Sequence, residues 1–261
     1  MEYAIFLTSL FSQDTQETLD DQETTESKDH KTPRIRPDWP RSYLRRQGHA
    51  TRAQKRAIRE LWDAYGVDAP YDCTLDLDAI FGRTGTHRVL DIGFGMGDTL
   101  VARAQLEPNT DILGVEVHRP GLGAALLKTE EHQLEHIRVV KHDVFQLLSA
   151  HLPDQCLDEA TLFFPEPWPK DRDHKRRIVR PLLLSCLERV FRPGATLNLA
   201  TDVEDYAHAM LELLESQDNW TNNAPQGGFS PRCSWRPITL YEQKGMDEGR
   251  EIFDLSFTLS T

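Results

Sequence analysis

Three acidic residues and one glycine-rich turn lie where the ends of successive strands would place them. Asp91 lies near the end of the apolar run 88–92, and the turn Gly93-Phe94-Gly95-Met96-Gly97 follows directly. Glu116 ends the next strand-like run, and Asp143 follows a third. Carboxylates accept hydrogen bonds from ammonium, hydroxyl and amino groups, and glycine lets the backbone approach a ligand closely. The pattern indicates a site for a polar cofactor.

S-adenosyl-L-methionine fits this set, because its ammonium, ribose and adenine groups need different partners. We expect Asp91 to bind the ammonium group, Glu116 the two ribose hydroxyls and Asp143 the adenine amino group. The expected cofactor-binding residues also include three glycines, Gly93, Gly95 and Gly97. Their G-x-G-x-G spacing differs from the G-x-G-x-x-G of dinucleotide-binding folds. The glycines alone are weak evidence, since any tight strand–helix turn uses them.

A second candidate region combines a stiff loop, a carboxylate and positive charge. The proline–tryptophan loop, residues 163–170, reads Phe163-Phe164-Pro165-Glu166-Pro167-Trp168-Pro169-Lys170. The basic segment, residues 171–177, follows it as Asp171-Arg172-Asp173-His174-Lys175-Arg176-Arg177. Prolines stiffen the loop and fix the direction of Glu166, and the cations suit phosphate contacts. A surface loop with solvated charges is the alternative.

The elements that must position these residues alternate between strand and helix from His87 onward. The predicted strands are Arg88–Ile92, Asp111–Val117, Ile137–Lys141, Thr161–Phe164, Thr196–Ala200 and Ile252–Leu259. One helix is expected to begin at about Asp98. A second helix is expected before the fifth strand, with Pro181 in its first turn. This alternation predicts an α/β fold with a doubly wound, mostly parallel sheet. Ligands of such sheets bind beyond the carboxyl ends of the strands.

Charge divides the N-terminal region into two segments of opposite sign. Residues 1–32 are acidic and polar, and we expect a disordered tail. Residues 33–66 form a basic arm and a helix capped by Thr51, and residues 67–261 form the main domain. The helix has an apolar face toward the body, formed by Ile58, Leu61, Trp62 and Tyr65. Its basic stripe is Arg52, Lys55, Arg56 and Arg59, which is either an RNA contact or an ordinary solvated face.

Composition excludes several other classes of protein. The 261 residues are 39% hydrophobic and 28% charged, without any run of eighteen apolar residues, so no membrane span is expected. The four cysteines form no CxxC pair, which argues against zinc sites and disulfide frameworks. We therefore expect a cytoplasmic monomer without a metal. The net charge of −12 argues against a nucleic-acid partner, but the clustered basic residues favour one.

The order of these motifs resembles the bacterial tRNA (guanine-N7)-methyltransferase family (TrmB). The resemblance covers about residues 40–259, and the proline–tryptophan loop is its most specific part. Further matching motifs are Arg41-Ser42-Tyr43-Leu44-Arg45-Arg46-Gln47-Gly48, Gly114-Val115-Glu116-Val117-His118, His142-Asp143, Thr201-Asp202 and Thr239-Leu240-Tyr241-Glu242. The resemblance implies a Rossmann-like, S-adenosylmethionine-dependent enzyme that methylates N7 of guanine 46 in the tRNA variable loop.

The resemblance also implies roles for individual residues. Glu166 falls at the family's catalytic aspartate, which also contacts the cofactor. The implied substrate contacts are Lys170, Asp202, Thr239, Leu240, Tyr241 and Glu242. The implied RNA contacts are Arg172, Asp173, His174, Lys175, Arg176 and Arg177, to which the basic arm adds Arg45 and Arg46.

Three positions depart from the family pattern. Glu166 is one methylene longer than the usual aspartate, Asp173 places negative charge within the basic segment, and Leu240 replaces a residue that is often polar. No required carboxylate is lost, so we expect activity. Two other functions remain open: a methyltransferase for a small molecule or protein, and a non-catalytic tRNA-binding protein on this fold. Asp202 has an alternative role as the cap of a helix that begins near Val203.

Overall fold

The computed structural model describes residues 48–70 and 73–260. Its strands are β1 (Gly66–Val67), β2 (His87–Ile92), β3 (Thr110–Glu116), β4 (Ile137–Lys141), β5 (Leu157–Phe163), β6 (Phe191–Thr201), β7 (Trp220–Asn222) and β8 (Phe253–Leu259). Its α-helices are α1 (Arg52–Tyr65), α2 (Leu77–Phe81), α3 (Asp98–Leu106), α4 (Arg119–Glu131), α5 (Val144–Gln146), α6 (Pro181–Val190), α7 (Glu204–Glu215) and α8 (Leu240–Asp247). A π-helical turn spans Leu147–His151, and a 3₁₀ helix spans Asp171–Arg176. The predicted acidic tail, Arg45 and Arg46 lie outside the described residues.

Within the described residues the strands form one sheet in the order β1-β4-β3-β2-β5-β6-β8-β7. The pairs from β1 to β6 are parallel, and β8 runs antiparallel to β6 and β7. The strand order reverses between β2 and β5, which is the topological switch point where α/β sheets bind ligands. The predicted doubly wound, mostly parallel α/β fold is confirmed.

Two predicted strands are longer than expected. β5 begins at Leu157, and β6 begins at Phe191 rather than at Thr196. Phe191 pairs with Leu157, and a register shift between Leu157 and Glu159 separates this pair from the regular ladder. The segment Arg192-Pro193-Gly194, which precedes the predicted strand, therefore lies inside β6, next to this irregularity in the ladder.

Helix α1 packs on the sheet-covering helices as its apolar face predicts. Thr51 caps the helix, and the Gln54 side chain accepts a bond from the Thr51 amide to complete a capping box. Trp62 is buried in a cluster with Leu100 of α3 and Leu126 of α4. The basic stripe of Arg52, Lys55, Arg56 and Arg59 is exposed, as predicted.

Candidate active site

The glycine turn between β2 and α3 forms the open side of the site. Gly93, Gly95 and Gly97 all have a positive φ, at 69°, 56° and 80°. A Cβ atom at Gly93 or Gly95 would meet nothing within 4 Å, whereas one at Gly97 would lie 2.8 Å from the Ala125 Cβ. The first two glycines therefore leave backbone open to a ligand, and the third allows α4 to pack closely.

Asp91 is a buried carboxylate at the carboxyl end of β2. The Thr99 hydroxyl donates to its Oδ2 at 3.2 Å. Burial raises the pKa of Asp91 to about 6, against the lowering effect of hydrogen bonds from Thr161 and Thr99. An ammonium group beside this carboxylate would favour its ionised form.

Glu116 and Asp143 end or follow the two neighbouring strands, and both are buried. The Glu116 carboxylate accepts from the backbone amides of Val117 at 2.6 Å, His118 at 2.9 Å and Gly95 at 3.2 Å. Asp143 caps α5, where its Oδ1 accepts from the Phe145 amide at 2.9 Å. These bonds fix the Glu116 carboxylate against the glycine turn and the Asp143 carboxylate at the end of β4.

This edge of the sheet fits S-adenosylmethionine. Two glycines leave open backbone, and three fixed carboxylates follow three adjacent strands in the order β4, β3, β2. Asp91 is suited to hold the ammonium group, Glu116 the ribose and Asp143 the adenine.

The proline–tryptophan loop continues from β5 on the other side of the switch point. The Phe164 amide donates to the Ala200 carbonyl of β6 at 2.8 Å. Phe164 and Trp168 have φ values of 53° and 48°, which are rare for residues other than glycine, and they bracket the exposed Glu166. Such strained backbone persists where the surrounding structure enforces it, and it concentrates at functional sites.

The basic segment separates into exposed and buried side chains. Arg172, Lys175 and Arg176 are exposed, and the Arg176 guanidinium lies 4.8 Å from the centre of the Trp168 ring. Asp173 lies within 4.0 Å of both exposed arginines, so it offsets part of their charge. Arg177 is buried among protein groups.

His174 of the basic segment is partly buried, and Lys170 before it is exposed. His142, next to Asp143, is buried and hydrogen-bonded to the Asp143 carbonyl, and burial lowers its pKa. Among the described residues no cluster of three or more histidine, cysteine or acidic side chains could hold a metal ion. None of the described helices combines the length and apolar character that a membrane crossing requires.

Asp202 follows β6, and its predicted alternative role as a helix cap is wrong. Helix α7 begins at Glu204 after the N-cap Val203, which has no capping side-chain bond, and the Thr201 hydroxyl accepts from the Val203 amide. The Asp202 carboxylate instead accepts from Arg250 Nε at 2.8 Å. It is thereby oriented by a cation 48 residues away in sequence.

The segment Thr239–Glu242 presents four different environments. Thr239 caps α8 by accepting from the Glu242 amide at 3.1 Å, while Leu240 and Tyr241 are 80% and 72% exposed. Glu242 is buried, and Arg232 donates to its two oxygens at 2.8 and 3.2 Å. The two exposed apolar side chains are available to a large substrate, whereas Glu242 is held within the protein.

Arg236 connects this segment to the proline–tryptophan loop and was not predicted. Its Nη2 donates to both oxygens of Asp254 at 2.9 and 2.8 Å, and its Nη1 lies 3.4 Å from Glu242. Its guanidinium carbon lies 4.9 Å and 5.3 Å from the ring centres of Phe163 and Phe164. Single arginines in a polar segment carry no periodic signal that reveals such partners.

Comparisons with known proteins identify the family of this chain. The family described as "Putative methyltransferase" matches residues 86–255. The tRNA (guanine-N(7)-)-methyltransferase of Halorhodospira halophila is 44% identical over 223 residues, covering 85% of this chain and 96% of that protein. The protein of the same name from Leifsonia xyli subsp. xyli is 45% identical over 218 residues, covering 84% of this chain and 95% of that one.

One solved structure supports the fold independently of close sequence similarity. The crystal structure of the 16S rRNA methyltransferase KamB has a TM-score of 0.52 at 15% identity, over 72% of this chain and 95% of that chain. The resemblance seen in the sequence is confirmed, and S-adenosylmethionine is the cofactor. The chain belongs to the tRNA (guanine-N(7)-)-methyltransferase family and is an S-adenosylmethionine-dependent methyltransferase.

Proposed function

We propose that this enzyme methylates N7 of guanine 46 in the variable loop of tRNA. The observation that carries the proposal is the adjacency of β2, β5 and β6 at the switch point. Asp91, the proposed partner of the cofactor's ammonium group, lies at the end of β2, and Glu166 and Asp202 follow β5 and β6. The names of the relatives support guanine N7 of tRNA as the target.

Guanine N7 carries an in-plane lone pair and no proton, so its attack on a methyl group needs no general base. S-adenosylmethionine supplies that methyl group in an electrophilic form. The protein's main contribution is therefore to position the base, which can lower a barrier by about 7–11 kcal/mol in favourable cases.

Methylation also places positive charge on the guanine ring. Fixed carboxylates near the base stabilise charge that develops during transfer. In this proposal Glu166 and Asp202 accept from the guanine N1–H and amino group and offset the new charge. Arg250 keeps Asp202 oriented through the 2.8 Å hydrogen bond.

Exposed basic side chains would hold the tRNA backbone. On α1 these are Arg52, Lys55, Arg56 and Arg59, and near the site they are Lys170, Arg172, Lys175 and Arg176. Arg45 and Arg46 of the basic arm are proposed to add to them. Phosphate contacts of this kind release counterions, so tRNA affinity should fall steeply with salt. We further propose that the enzyme acts as a cytoplasmic monomer.

The proposal is tested by methyl transfer from labelled S-adenosylmethionine to unmodified tRNA, followed by chemical cleavage selective for 7-methylguanosine. Cleavage at guanine 46 is the expected result. If tRNA and cofactor both bind but no label is transferred, the non-catalytic tRNA-binding function replaces this one. Cleavage at another guanine would contradict position 46 as the target but would still support guanine N7 methylation of tRNA.

A further inference from the structure

The basic segment ends in an arginine whose surroundings differ from those of its neighbours. Arg177 has a side chain that is only 7% exposed, whereas Arg172 and Arg176 are 78% and 48% exposed. A phosphate contact needs the guanidinium at the surface, and this one is inside the protein. The location of Arg177 within the basic segment therefore does not indicate that it binds phosphate.

We propose that Arg177 is a positioning residue, which holds the proline–tryptophan loop against α7 for catalysis and does not contact RNA. The inference rests on the proposed function, because the loop carries Glu166. It assigns Arg177 an effect on turnover, whereas the other arginines of the segment act on tRNA affinity.

Three hydrogen-bonding contacts hold the Arg177 guanidinium in place. Its Nε donates to the Pro167 carbonyl at 2.9 Å, one residue after Glu166. Its Nη2 donates to the Asp205 carboxylate of α7 and to His174 Nε2 at 3.0 Å. The Arg177 guanidinium thus joins the middle of the proline–tryptophan loop to the first turn of α7. Charge-assisted bonds of this kind are stronger than neutral ones.

The face of the same guanidinium rests on a rigid platform. Its central carbon lies 4.5 Å from the centre of the Tyr206 ring, and Tyr206 is buried. The Tyr206 hydroxyl accepts from the Val179 amide at 3.1 Å, so the platform is tied to the chain that follows Arg177. Burial raises the pKa of Tyr206 to about 12.

The connection matters because α7 also follows Asp202. The helix begins at Glu204, two residues after that carboxylate, and its first turn contains both Asp205 and Tyr206. Arg177 therefore sets the loop of Glu166 relative to the element that follows Asp202. Loss of the connection would let one proposed guanine-binding carboxylate move relative to the other. Misplacement by about 1 Å can cost a factor of about 100 in rate.

The Asp205 carboxylate makes the inference testable, because two roles for Arg177 predict opposite results. Asp205 is 55% exposed. If this region only held RNA, Asp205→Asn would remove a repelling charge and strengthen tRNA binding. If Arg177 positions the loop, the same change weakens the connection and lowers kcat.

The experiment compares Arg177→Gln, Asp205→Asn and their double variant with the control Arg172→Gln, which changes an exposed arginine of the same segment. Each protein is assayed for kcat and for KM of tRNA at several salt concentrations, after thermal unfolding and cofactor binding have verified the fold. We expect each single variant to lower kcat about 10-fold to 100-fold, and the double variant to be little worse than Arg177→Gln. Arg172→Gln should raise KM and flatten its dependence on salt.

Two results would overturn the proposal. One is a rise in KM with a flatter salt dependence in Arg177→Gln, as in the control. The other is an Asp205→Asn variant with undiminished kcat and tighter tRNA binding.

Hydrogen exchange separates this inference from the proposed function. Arg177→Gln should speed exchange at the amides of Phe164 and Val179, which donate to the Ala200 carbonyl and to the Tyr206 hydroxyl, and Arg172→Gln should leave them unchanged. This readout needs no methyl transfer, so it holds even if tRNA proves to be the wrong substrate. Unchanged exchange in Arg177→Gln would contradict the positioning role by itself.

Discussion

Arg250 and Asp202 form a close ion pair at the carboxyl edge of the sheet, with Arg250 Nε 2.8 Å from the Asp202 carboxylate. Gly245 of α8 lies against the same carboxylate, because a Cβ there would be 3.0 Å from Oδ2. The pair joins the end of β6 to the segment after α8. Asp202 is therefore fixed from two sides before any substrate binds, which is what an electrostatic stabiliser requires.

This arrangement predicts that Arg250 acts through Asp202. Asp202→Asn should lower kcat by about 100-fold or more, since it removes the charge that we propose offsets the methylated ring. Arg250→Gln should lower kcat less, because the carboxylate remains but loses its main orienting bond. Glu248→Gln is the control, since Glu248 also contacts Arg250 but lies on the exposed side. Equal turnover in Arg250→Gln and wild type would refute the orienting role.

Cofactor affinity should depend on pH through Asp91. Its pKa is raised to about 6 by burial, so the free enzyme gains a proton there as the pH falls through about 6. The protonated acid no longer attracts an ammonium group, so affinity for S-adenosylmethionine should decline below pH 6. Binding should also release a proton near this pH, because the ammonium favours the ionised carboxylate.

Calorimetric titration in buffers of different ionisation enthalpy measures this proton release. Asp91→Asn should bind the cofactor more weakly and lose the proton release near pH 6. Wild-type affinity that stays constant from pH 5 to pH 8 would rule out Asp91 as the ammonium partner.

The three glycines of the turn should respond differently to alanine. Gly97→Ala places a Cβ 2.8 Å from the Ala125 Cβ at a φ of 80°, so it should destabilise the fold by several kcal/mol. Gly93→Ala has the backbone strain but no clash, so about 1 kcal/mol is expected, with the larger effect on cofactor binding. Denaturant unfolding and cofactor titration of both variants distinguish the two effects. Equal losses of stability would show that α4 does not pack on Gly97 as described.

Glu166 is predicted to act by charge rather than by proton transfer. Glu166→Gln keeps the shape but removes the charge, so kcat should fall by about 100-fold. Glu166→Asp keeps the charge and restores the residue usual in the family, so activity should be largely retained. Single-turnover rates with saturating tRNA measure both. Full turnover in Glu166→Gln would exclude the electrostatic role.

The sequence predicted the sheet and the placement of three acidic residues at strand ends because both follow local patterns. Apolar runs identify the parallel strands, and Asp91, Glu116 and Asp143 stand at or just beyond their ends. Arg250 and Arg236 could not be found in this way, since their partners Asp202 and Asp254 are 48 and 18 residues distant. Only the fold brings such pairs together.

Burial within a run of charges is also invisible to sequence patterns. Arg176 and Arg177 are adjacent in sequence, yet the first is exposed on Trp168 and the second is enclosed by Pro167 and α7. The difference depends on how the 3₁₀ helix Asp171–Arg176 ends against α7. Sequence patterns likewise do not predict the first residues of β6, because those residues pair with β5 only across a register shift.

The most direct test of the central claim replaces N7 itself. Wild-type enzyme is incubated with S-adenosylmethionine and a tRNA that carries 7-deazaguanosine at position 46, with unmodified tRNA as the reference. We expect both tRNAs to bind with similar affinity and only the unmodified one to accept a methyl group, because the analogue lacks the lone pair. Methyl transfer to the 7-deaza tRNA at the reference rate would contradict it.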